Sequence, residues 1–237
     1  MNYKIGRDVK LGRNIDIGHG VLIEENVLLG NNIILGDNVI IKNGAVIGDN
    51  VILGYQDVNK DEVSPPARLV TLIGEGVKIR SGSVIYYGTM IGPRSTTGHN
   101  CVIRENTKIG HDTYIGSLTA IEGDTNIGNF VGIHTQCHIT KYCNIGDYTF
   151  IAPLFVGAND QRMTHRRPGH GENLIGFTTA RYVRIAVGVT LLPGVHLGEG
   201  CIVGAGSVVT KDVPAYKLVL GSPARVVRDA PRDEVVS

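Results

Sequence analysis

Aliphatic residues recur at every sixth position along most of the chain. They form four runs, separated by two polar segments and by a single threonine, Thr97: residues 5–53, 73–91, 103–151 and 185–209. The next residue is often Gly, and the fourth residue after the aliphatic one is small or β-branched. A helix repeats about every 3.6 residues and a strand every two, so neither alone explains this period. A short strand, a turn and another short strand does, because β-branched residues favour strands whereas Gly, Asn and Asp favour turns.

The two polar segments predict loops that leave a regular scaffold. We expect one repeat domain over residues 1–214, with inserted loops at 54–72 and 157–182, and a C-terminal tail over 215–237. Binding and catalytic residues often lie on loops held by a rigid scaffold, so the second loop, "GANDQRMTHRR", is a candidate part of a functional site. Both loops are also open to the simpler interpretation of solvated surface segments.

The six-residue pattern resembles that of the hexapeptide-repeat proteins, and the resemblance covers almost the whole chain. It implies an all-β fold, a left-handed parallel β-helix in which three hexapeptides form one triangular coil. Residues 18 apart would then stack at roughly 4.8 Å, the spacing of neighbouring strands. Each buried Ile or Leu would contribute roughly 1.5–3 kcal/mol. The resemblance further implies a homotrimer with parallel axes and with sites between subunits.

Composition narrows the class of protein further. The net charge of the 237 residues is +1, so no basic field indicates a nucleic acid or a membrane surface. No apolar run approaches the length of a membrane helix or of a signal peptide, and we therefore expect a cytoplasmic protein. Each of the four cysteines occupies the position four residues after an aliphatic one, which predicts inward-facing filler in a reducing compartment.

The C-terminal part resembles the closing coils of hexapeptide acyltransferases. The matching stretches are "GAGSVVTKDVP" and "GSPARVVR", and the resemblance implies acetyl-CoA or another acyl-CoA as co-substrate, with no metal. Small residues would let the pantetheine arm lie close to the chain, and basic residues would meet its phosphates. Together with Arg228 at the phosphates, the expected cofactor-binding residues are Ala186, Gly188, Gly204, Ala205, Gly206, Lys211 and Arg225. Each glycine taken alone is equally explained as a turn residue.

The middle of the chain resembles the nucleotide-sugar N-acyltransferases, which acylate an amino group on a dTDP- or UDP-linked deoxy sugar, as in lipopolysaccharide biosynthesis. The matching stretches are "VIYYGTMIGPRSTTGHNCVIREN" and "GANDQRMTH". The partners that this implies are a nucleotide-linked amino sugar and acyl-CoA. The expected substrate-binding residues are Tyr86, Thr89, Arg104, Glu105, Asn159, Asp160, Thr164 and His165.

Amide formation from a thioester needs an amine, a route for its proton and a donor for the oxyanion. Histidine is the natural proton acceptor near neutral pH, and an 18-residue coil would place His99, Asn100 and His134 on one corner. We expect His99 as the first catalytic candidate, His134 as the second, and Asn100 as an orienting group. The alternatives are that a histidine is simply tolerated in this turn, as at His19, or that the sugar amine arrives deprotonated.

Thr97 lies at the same corner, and two interpretations of it are open. It either forms a hydrogen bond that shapes a site there, or it is a harmless isostere of valine. The loop at 157–182 leaves from the neighbouring corner, which also carries Tyr86, Arg104 and Glu105. The two corners can therefore face each other only if a second subunit supplies one of them.

Three other functions remain open from the sequence. An O-acetyltransferase of a sugar or of serine would differ only in the acceptor. A zinc-dependent carbonic anhydrase also uses this fold, but His111 falls on a different corner from His134 and the Arg-Gly-Asp signature of that family is absent. A non-catalytic scaffold would not need the coenzyme-like tail. No nucleotidyltransferase segment precedes the repeat, which argues against a bifunctional sugar-activating enzyme.

Overall fold

The repeat winds into a three-sided parallel β-helix. In the computed structural model, the described residues are 3–56, 69–163 and 173–232, and their strands fall into three sheets of ten, twelve and ten strands. Each coil contributes one strand to sheet A, one to sheet B and one to sheet C, which gives ten coils. The predicted β-helix of hexapeptide repeats is confirmed. Across the described ranges, no helix has the length and apolar character that a membrane span requires.

The strands are short and follow the six-residue period. Sheet A contains β1 (Lys4–Ile5), β4 (Leu22–Ile23), β7 (Val39–Ile41), β10 (Thr71–Ile73), β13 (Met90–Ile91), β16 (Lys108–Ile109), β19 (Asn126–Ile127), β22 (Asn144–Ile145), β25 (Thr178–Thr179) and β28 (His196–Leu197). Sheet B contains β2 (Lys10–Leu11), β5 (Leu28–Leu29), β8 (Val46–Ile47), β11 (Lys78–Ile79), β14 (Thr96–Thr97), β17 (Tyr114–Ile115), β20 (Gly132–Ile133), β23 (Phe150–Ile151), β26 (Arg184–Ile185), β29 (Ile202–Val203), β31 (Lys217–Gly221) and β32 (Ala224–Asp229). Sheet C contains β3 (Ile15–Ile17), β6 (Ile33–Leu35), β9 (Ile52–Tyr55), β12 (Val84–Tyr86), β15 (Val102–Ile103), β18 (Ala120–Ile121), β21 (His138–Ile139), β24 (Val156–Gly157), β27 (Thr190–Leu191) and β30 (Val208–Val209).

Wherever no loop intervenes, each strand pairs with the strand that begins three hexapeptides later, as in the pairing of Ile103 with Ile121 and of Ile121 with Ile139. Beyond the first coil, nearly every inward position carries a buried aliphatic residue, and these residues form one continuous column. The residue before each of them points outward. The first coil has no coil below it, and its inward Ile5 and Leu11 remain 41% and 45% exposed.

The turns between sheets use left-handed backbone conformations, and we name the three corners AB, BC and CA by the sheets that they join. Asn or Asp occupies many of these positions, because their side chains tolerate a positive φ. Bulky residues occupy others, including Leu118 (φ 60°) and Leu154 (φ 63°) at the BC corner and Phe130 (φ 56°) at the AB corner. Such residues cost roughly 1–3 kcal/mol each in this conformation, so each needs a compensating contact.

Both interruptions of the repeat leave the helix at the CA corner, after β9 and after β24. At the second one, Gly157 takes the inward position, because a Cβ there would lie 2.6 Å from the Phe177 ring. Phe155 and Phe177 pack edge to face at 5.3 Å and fill that part of the core. After the last coil, β31 pairs parallel with β29 and antiparallel with β32, so a hairpin closes the end of sheet B.

Candidate active site

The BC corner carries both the expected catalytic residues and most of the expected cofactor residues. Parallel pairing in sheet B stacks each BC turn on the turn of the preceding coil. In order along the axis, the corner carries His99 and Asn100, then His134, then Ala186 and Gly188, and finally Gly204, Ala205 and Gly206. At roughly 4.8 Å per coil, the His134 position lies about 10 Å from the His99 turn and about 14 Å from Gly204.

His134 is the better held of the two histidines. It is half-buried, and its ring lies edge-on to Phe150 at 4.9 Å and to Tyr114 at 6.0 Å between ring centroids. The carbonyl of His134 accepts a hydrogen bond from the buried hydroxyl of Thr119 at 2.9 Å. Both the ring and the main chain of His134 are therefore fixed by neighbours.

His99 and Asn100 occupy an exposed turn two coils away. The main-chain amide of His99 donates to Ser117 Oγ at 3.0 Å, whereas its ring makes no hydrogen bond or ring contact with any of the described residues. Asn100 has a φ of 55°, the same conformation as Asn32 and Asn50 at the same corner. Asn100 thus fits the requirements of the turn without any further role, and its expected orienting role stays a prediction.

Thr97 forms the hydrogen bond that one interpretation of the sequence expected. Its side chain is buried, with 1% of the residue exposed, and its Oγ1 accepts the amide of Arg80 at 3.2 Å. One coil on, the corresponding amide of Gly98 donates to the main-chain carbonyl of Ile115 at 2.6 Å. Thr97 therefore modifies the ladder beneath the His99 turn from inside the core.

Buried hydroxyls and thiols hold the turns of the central coils from within. They lie four residues after the inward aliphatic position, and each donates to a turn carbonyl of the next coil. The donors are Ser83, Thr89, Ser95, Cys101, Thr113, Thr119, Thr125 and Cys137. In most of the first three coils the same position carries Val, which has no donor. The coils with a polar interior are therefore those that carry the candidate histidines.

The expected cofactor residues line the far half of the BC corner. Gly188 (φ 68°) and Gly206 (φ 67°) face open space, because a Cβ on either would meet no atom within 4 Å. Gly204 instead packs under Leu220 of the hairpin, where a Cβ would lie 1.7 Å from a methyl group. The neighbouring Ala186 and Ala205 are also small, whereas Val187 in the same turn and Leu154 one coil nearer His134 are 45% and 52% exposed.

The expected phosphate contacts lie beyond these glycines, at the end of the helix. Lys211, Arg225 and Arg228 are all exposed. Both arginines are in β32, and each donates one guanidinium hydrogen bond to a main-chain carbonyl, that of Ala224 and that of Asp229. Arg225 lies opposite Leu220 near the BC end of the hairpin, whereas Arg228 lies opposite Leu218 toward the AB corner and Lys211 follows β30 on the CA corner. Of the three, only Arg225 continues the line of small residues.

The CA corner carries the expected substrate-binding residues of the central coils. Arg104 donates to both carboxylate oxygens of Glu105, at 3.0 and 3.2 Å, and its guanidinium lies 5.4 Å from the Tyr86 ring centre. Tyr86 in turn packs edge to face against Tyr55 at 4.8 Å. Thr89 is fully buried and donates to the Arg104 carbonyl at 3.0 Å, so it supports this corner from inside.

The beginning of the second loop joins the same CA corner. Asn159 Nδ2 donates to the Lys141 carbonyl at 3.5 Å, and its own carbonyl accepts the Ile175 amide. The carboxylate of Asp160 accepts the amides of the two residues at 162 and 163, which forms a tight turn. Thr164 and His165 lie outside the described residues. As expected from the sequence, the loop and the histidines lie on different corners of one chain.

The sequence did not single out two histidine–carboxylate pairs. His138, on the outer face of sheet C, lies 3.6 Å from a Glu122 oxygen near the second loop. His111 contacts Asp112 at 2.7 Å on the AB corner, where hydrogen bonds from Arg94 and then from His111 lower the pKa of Asp112 to about 2. The spacing between Glu122 and His138 is not a multiple of the repeat, so it becomes meaningful only when the coil is known. His111 and Asp112 are adjacent in the sequence, and no feature of the sequence indicates that their side chains interact.

Neither a metal cluster nor an activated thiol is found in the described parts of the chain. Within residues 3–56, 69–163 and 173–232, no group of three or more His, Cys, Asp or Glu side chains is placed to hold a metal ion. All four cysteines are buried and unpaired. Burial raises the pKa of the Cys143 thiol to about 11 and that of Cys201 to about 12, which opposes a nucleophilic role for either.

Family models and relatives match parts of the chain. A model described as bacterial transferase hexapeptide (six repeats) matches residues 71–105 and 179–211, and one for the hexapeptide repeat of succinyl-transferase matches residues 20–49. A Staphylococcus aureus (strain COL) protein named "Putative acetyltransferase" is 41% identical over 88 residues, which are 37% of this chain and 40% of the relative. A Schizosaccharomyces pombe protein with the same description is 56% identical over 46 residues, 19% of this chain and 22% of the relative. The chain thus spans less than half the length of these relatives.

Among solved structures, AntD, an N-acyltransferase from Bacillus cereus in complex with dTDP and 3-hydroxybutyryl-CoA, is 22% identical. The alignment covers 68% of this chain and 84% of that chain with a TM-score of 0.45. An Arabidopsis UDP-N-acetylglucosamine acyltransferase is 19% identical, over 96% of this chain and 72% of that chain, with a TM-score of 0.45. These likenesses are distant and carry no functional argument.

The hydroxyl of Thr119 can be tested as the support of His134. Thr119→Val should lower the free energy of unfolding by about 1–3 kcal/mol, because a buried carbonyl loses its donor. Thr113→Val is the matched control, since Thr113 donates in the same way to the Gly128 carbonyl at the AB corner. Both variants should lose similar stability in thermal melts, whereas only Thr119→Val should shift the imidazole NMR signals of His134. Equal shifts in the two variants would refute a specific role.

Proposed function

We propose that this chain, which forms a parallel β-helix of hexapeptide repeats, is an acyl-CoA-dependent N-acyltransferase. Its acceptor is the amino group of a nucleotide-linked amino deoxy sugar, and its donor is acetyl-CoA or a close relative. The observation that carries the proposal is the BC corner. There, the small Gly and Ala residues, the His134 ring held by its neighbours, and the coils with buried hydroxyls and thiols follow one another along the helix axis.

The far half of the corner suits the pantetheine arm. This arm is a thin chain of about four peptide-like units, so it spans roughly 14 Å when extended. That length matches the roughly 14 Å between the positions of Gly204 and His134. With the coenzyme phosphates at the Gly204 turn, where the Arg225 side chain can reach back to them, the thioester reaches His134 but not the His99 turn, which lies two coils further on.

The reaction forms one bond and breaks another at the thioester carbon. The sugar nitrogen attacks the carbonyl, the carbon–sulfur bond breaks, and the proton lost by nitrogen ends on the coenzyme A sulfur. His134 accepts that proton as the amide forms and returns it to the sulfur. His99 lies on the acceptor side of His134, where it contacts the substrate, so the proposal reverses the order expected from the sequence.

The nucleotide is held by the CA corner of a second subunit in a homotrimer. Two features of the described chain support such an assembly. The outward residues of sheet C are aliphatic except at Asp16, His138 and Thr190, and several are exposed, including Ile34 at 45% and Val156 at 44%. At the adjacent BC corner, leucines are exposed in left-handed turns. A partner that covers both features brings its CA corner, with Arg104 and Asn159 of that copy, toward the histidines.

The proposal places the protein in the cytoplasm, where acyl-CoA is available. Four unpaired cysteines suit that reducing compartment. The proposed proton transfer through His134 uses no metal.

The trimer can be tested at the two exposed leucines of the BC corner. Leu118 and Leu154 are 54% and 52% exposed at positive φ, which is unfavourable without a partner. Leu118→Asn with Leu154→Asn should keep the fold, because Asn tolerates this conformation, and should reduce the mass by light scattering from three chains to one. Phe130→Asn is the control, since Phe130 is 45% exposed at positive φ on the AB corner. A monomeric wild type, or a trimeric double variant, would contradict the assembly.

Thiol release tests the activity itself. Acetyl-CoA is incubated with dTDP- and UDP-linked amino sugars, and with the same sugars bearing a hydroxyl in place of the amine. The buried cysteines add little background, because burial raises the pKa of each thiol. The wild type should release coenzyme A only with amino sugars. His134→Asn should lower kcat by about 10²–10⁴-fold, while His196→Asn, on the outer face of sheet A, should leave it unchanged.

The other outcomes of this assay separate the alternatives. Turnover of the hydroxyl sugars alone would replace the proposal by an O-acetyltransferase. Absence of turnover with every acceptor, together with no effect of acetyl-CoA on the melting temperature, would favour a non-catalytic scaffold. Full activity of His134→Asn would leave the reaction in place but remove His134 as the proton acceptor.

A further inference from the structure

The outer face of sheet B contains one residue without a side chain, and its neighbours are unusual. Among the described strands, the residue before the inward position is Gly only at Gly132. It is Tyr or Phe only at Tyr114 and Phe150. These two residues flank Gly132 directly, because β20 pairs with β17 on one side and with β23 on the other. Among these outward positions of the described strands, the one Gly thus lies between the one Tyr and the one Phe.

Nothing within the described chain requires glycine at this position. Gly132 lies in a strand and does not have a positive φ, so any residue can adopt its backbone conformation. A Cβ there would meet only one atom within 4 Å, a Phe150 ring carbon at 3.6 Å, which is an ordinary contact. Gly in a strand costs roughly 0.5–1 kcal/mol relative to Ala. The chain therefore loses stability at Gly132 without an internal reason, which indicates close approach by something else.

The three rings around Gly132 form an open box. Tyr114 and Phe150 are 41% and 43% exposed, and their strands lie two coils apart. Two coils correspond to roughly 10 Å between their Cα atoms. The His134 ring lies edge-on to both, 6.0 Å from the Tyr114 ring and 4.9 Å from the Phe150 ring, so it stands between them and forms the wall toward the BC corner. We call the surface formed by Tyr114, Gly132, His134 and Phe150 the aromatic box.

We propose that the aromatic box binds the pyranose ring of the acceptor sugar. This inference rests on the proposed function and names the subsite at which that function takes its substrate. A deoxy sugar presents a flat face of C–H groups, which packs well on aromatic rings, and the bare backbone lets the ring lie low between them. A sugar in the box also holds its amine beside His134.

The nucleobase of the acceptor is the other ring that would fit between two aromatic side chains. A ribose and two phosphates separate the base from the sugar, so a base in the box would carry the amine away from His134. The adenine of coenzyme A is separated in the same manner, since it follows the phosphates near Arg225. The position of His134 in the wall therefore favours the sugar over either base.

Gly132→Val tests this directly, because it fills the box without harming the strand. Val suits an exposed strand position, so the melting temperature should stay the same or rise. Calorimetric titration with dTDP-glucose, a probe that lacks the amine, should show at least a tenfold weaker affinity, while free dTDP binds as to the wild type. In turnover, KM for the amino sugar should rise at least tenfold, with KM for acetyl-CoA unchanged. Asn126→Val is the matched control, because Asn126 occupies the outward position of β19, the previous strand along the chain, which lies in sheet A.

A second variant removes the aromatic rings that form the walls of the aromatic box. Tyr114→Leu combined with Phe150→Leu should weaken the binding of dTDP-glucose to the same extent, and should again leave the binding of free dTDP unchanged. If Gly132→Val weakens the binding of free dTDP, or weakens the binding of acetyl-CoA alone, the aromatic box holds a base and the inference is overturned. Unchanged sugar affinity with wild-type turnover would also overturn it and leave the proposed function intact. Conversely, if sugar binding depends on Gly132 but no thiol is released with any acceptor, the proposed acyl transfer is refuted and the sugar subsite is retained.

Discussion

The hydrogen-bonded register between successive coils is the constraint on which the whole structure depends. An amide in one coil donates to a carbonyl of the next coil, as from Gly98 to Ile115 and from Gly116 to Ile133, and this repeats on all three sides. A shift of one residue would turn every inward Ile outward, so burial of the aliphatic column fixes the register strongly. Residues that are distant in sequence consequently meet along a corner at a fixed spacing.

The candidate site is built on this rigid lattice rather than on a hinged cleft. The central coils replace interior Val by Ser, Thr or Cys, whose donors hold the turn carbonyls of the following coil at one constant offset. Those bonds fix the turns while the ladder fixes the strands. Two of the departures from the pattern, the buried Thr97 and the bare Gly132, lie in sheet B next to the histidine corner. Thr97 replaces an inward aliphatic residue and accepts a hydrogen bond, and Gly132 leaves an outward position without a side chain.

Much of the fold follows from the sequence because inward positions repeat without ambiguity. The six-residue period and the resemblance together predicted the coil, the corner shared by His99 and His134, the inward cysteines and the separate corner for Arg104. Support of His134 by Thr119 was not predictable, since it depends on which atoms meet across coils. Thr89 lies at the same inward position as the cysteines, so its burial followed from the period. His138 and Glu122 were missed because their separation along the chain has no meaning before the register is known. The expected roles of Thr164 and His165 stay predictions, since both lie outside the described residues.

In the proposed mechanism, one corner of the helix aligns the acyl donor with His134. A crystal structure with coenzyme A bound is the most direct measurement of this alignment. The pantetheine arm should lie beside Gly188 and Gly206 at the BC corner, with its sulfur closer to His134 than to any other histidine. An arm along the AB or CA corner, or a sulfur beside His99 or His138 instead, would contradict it.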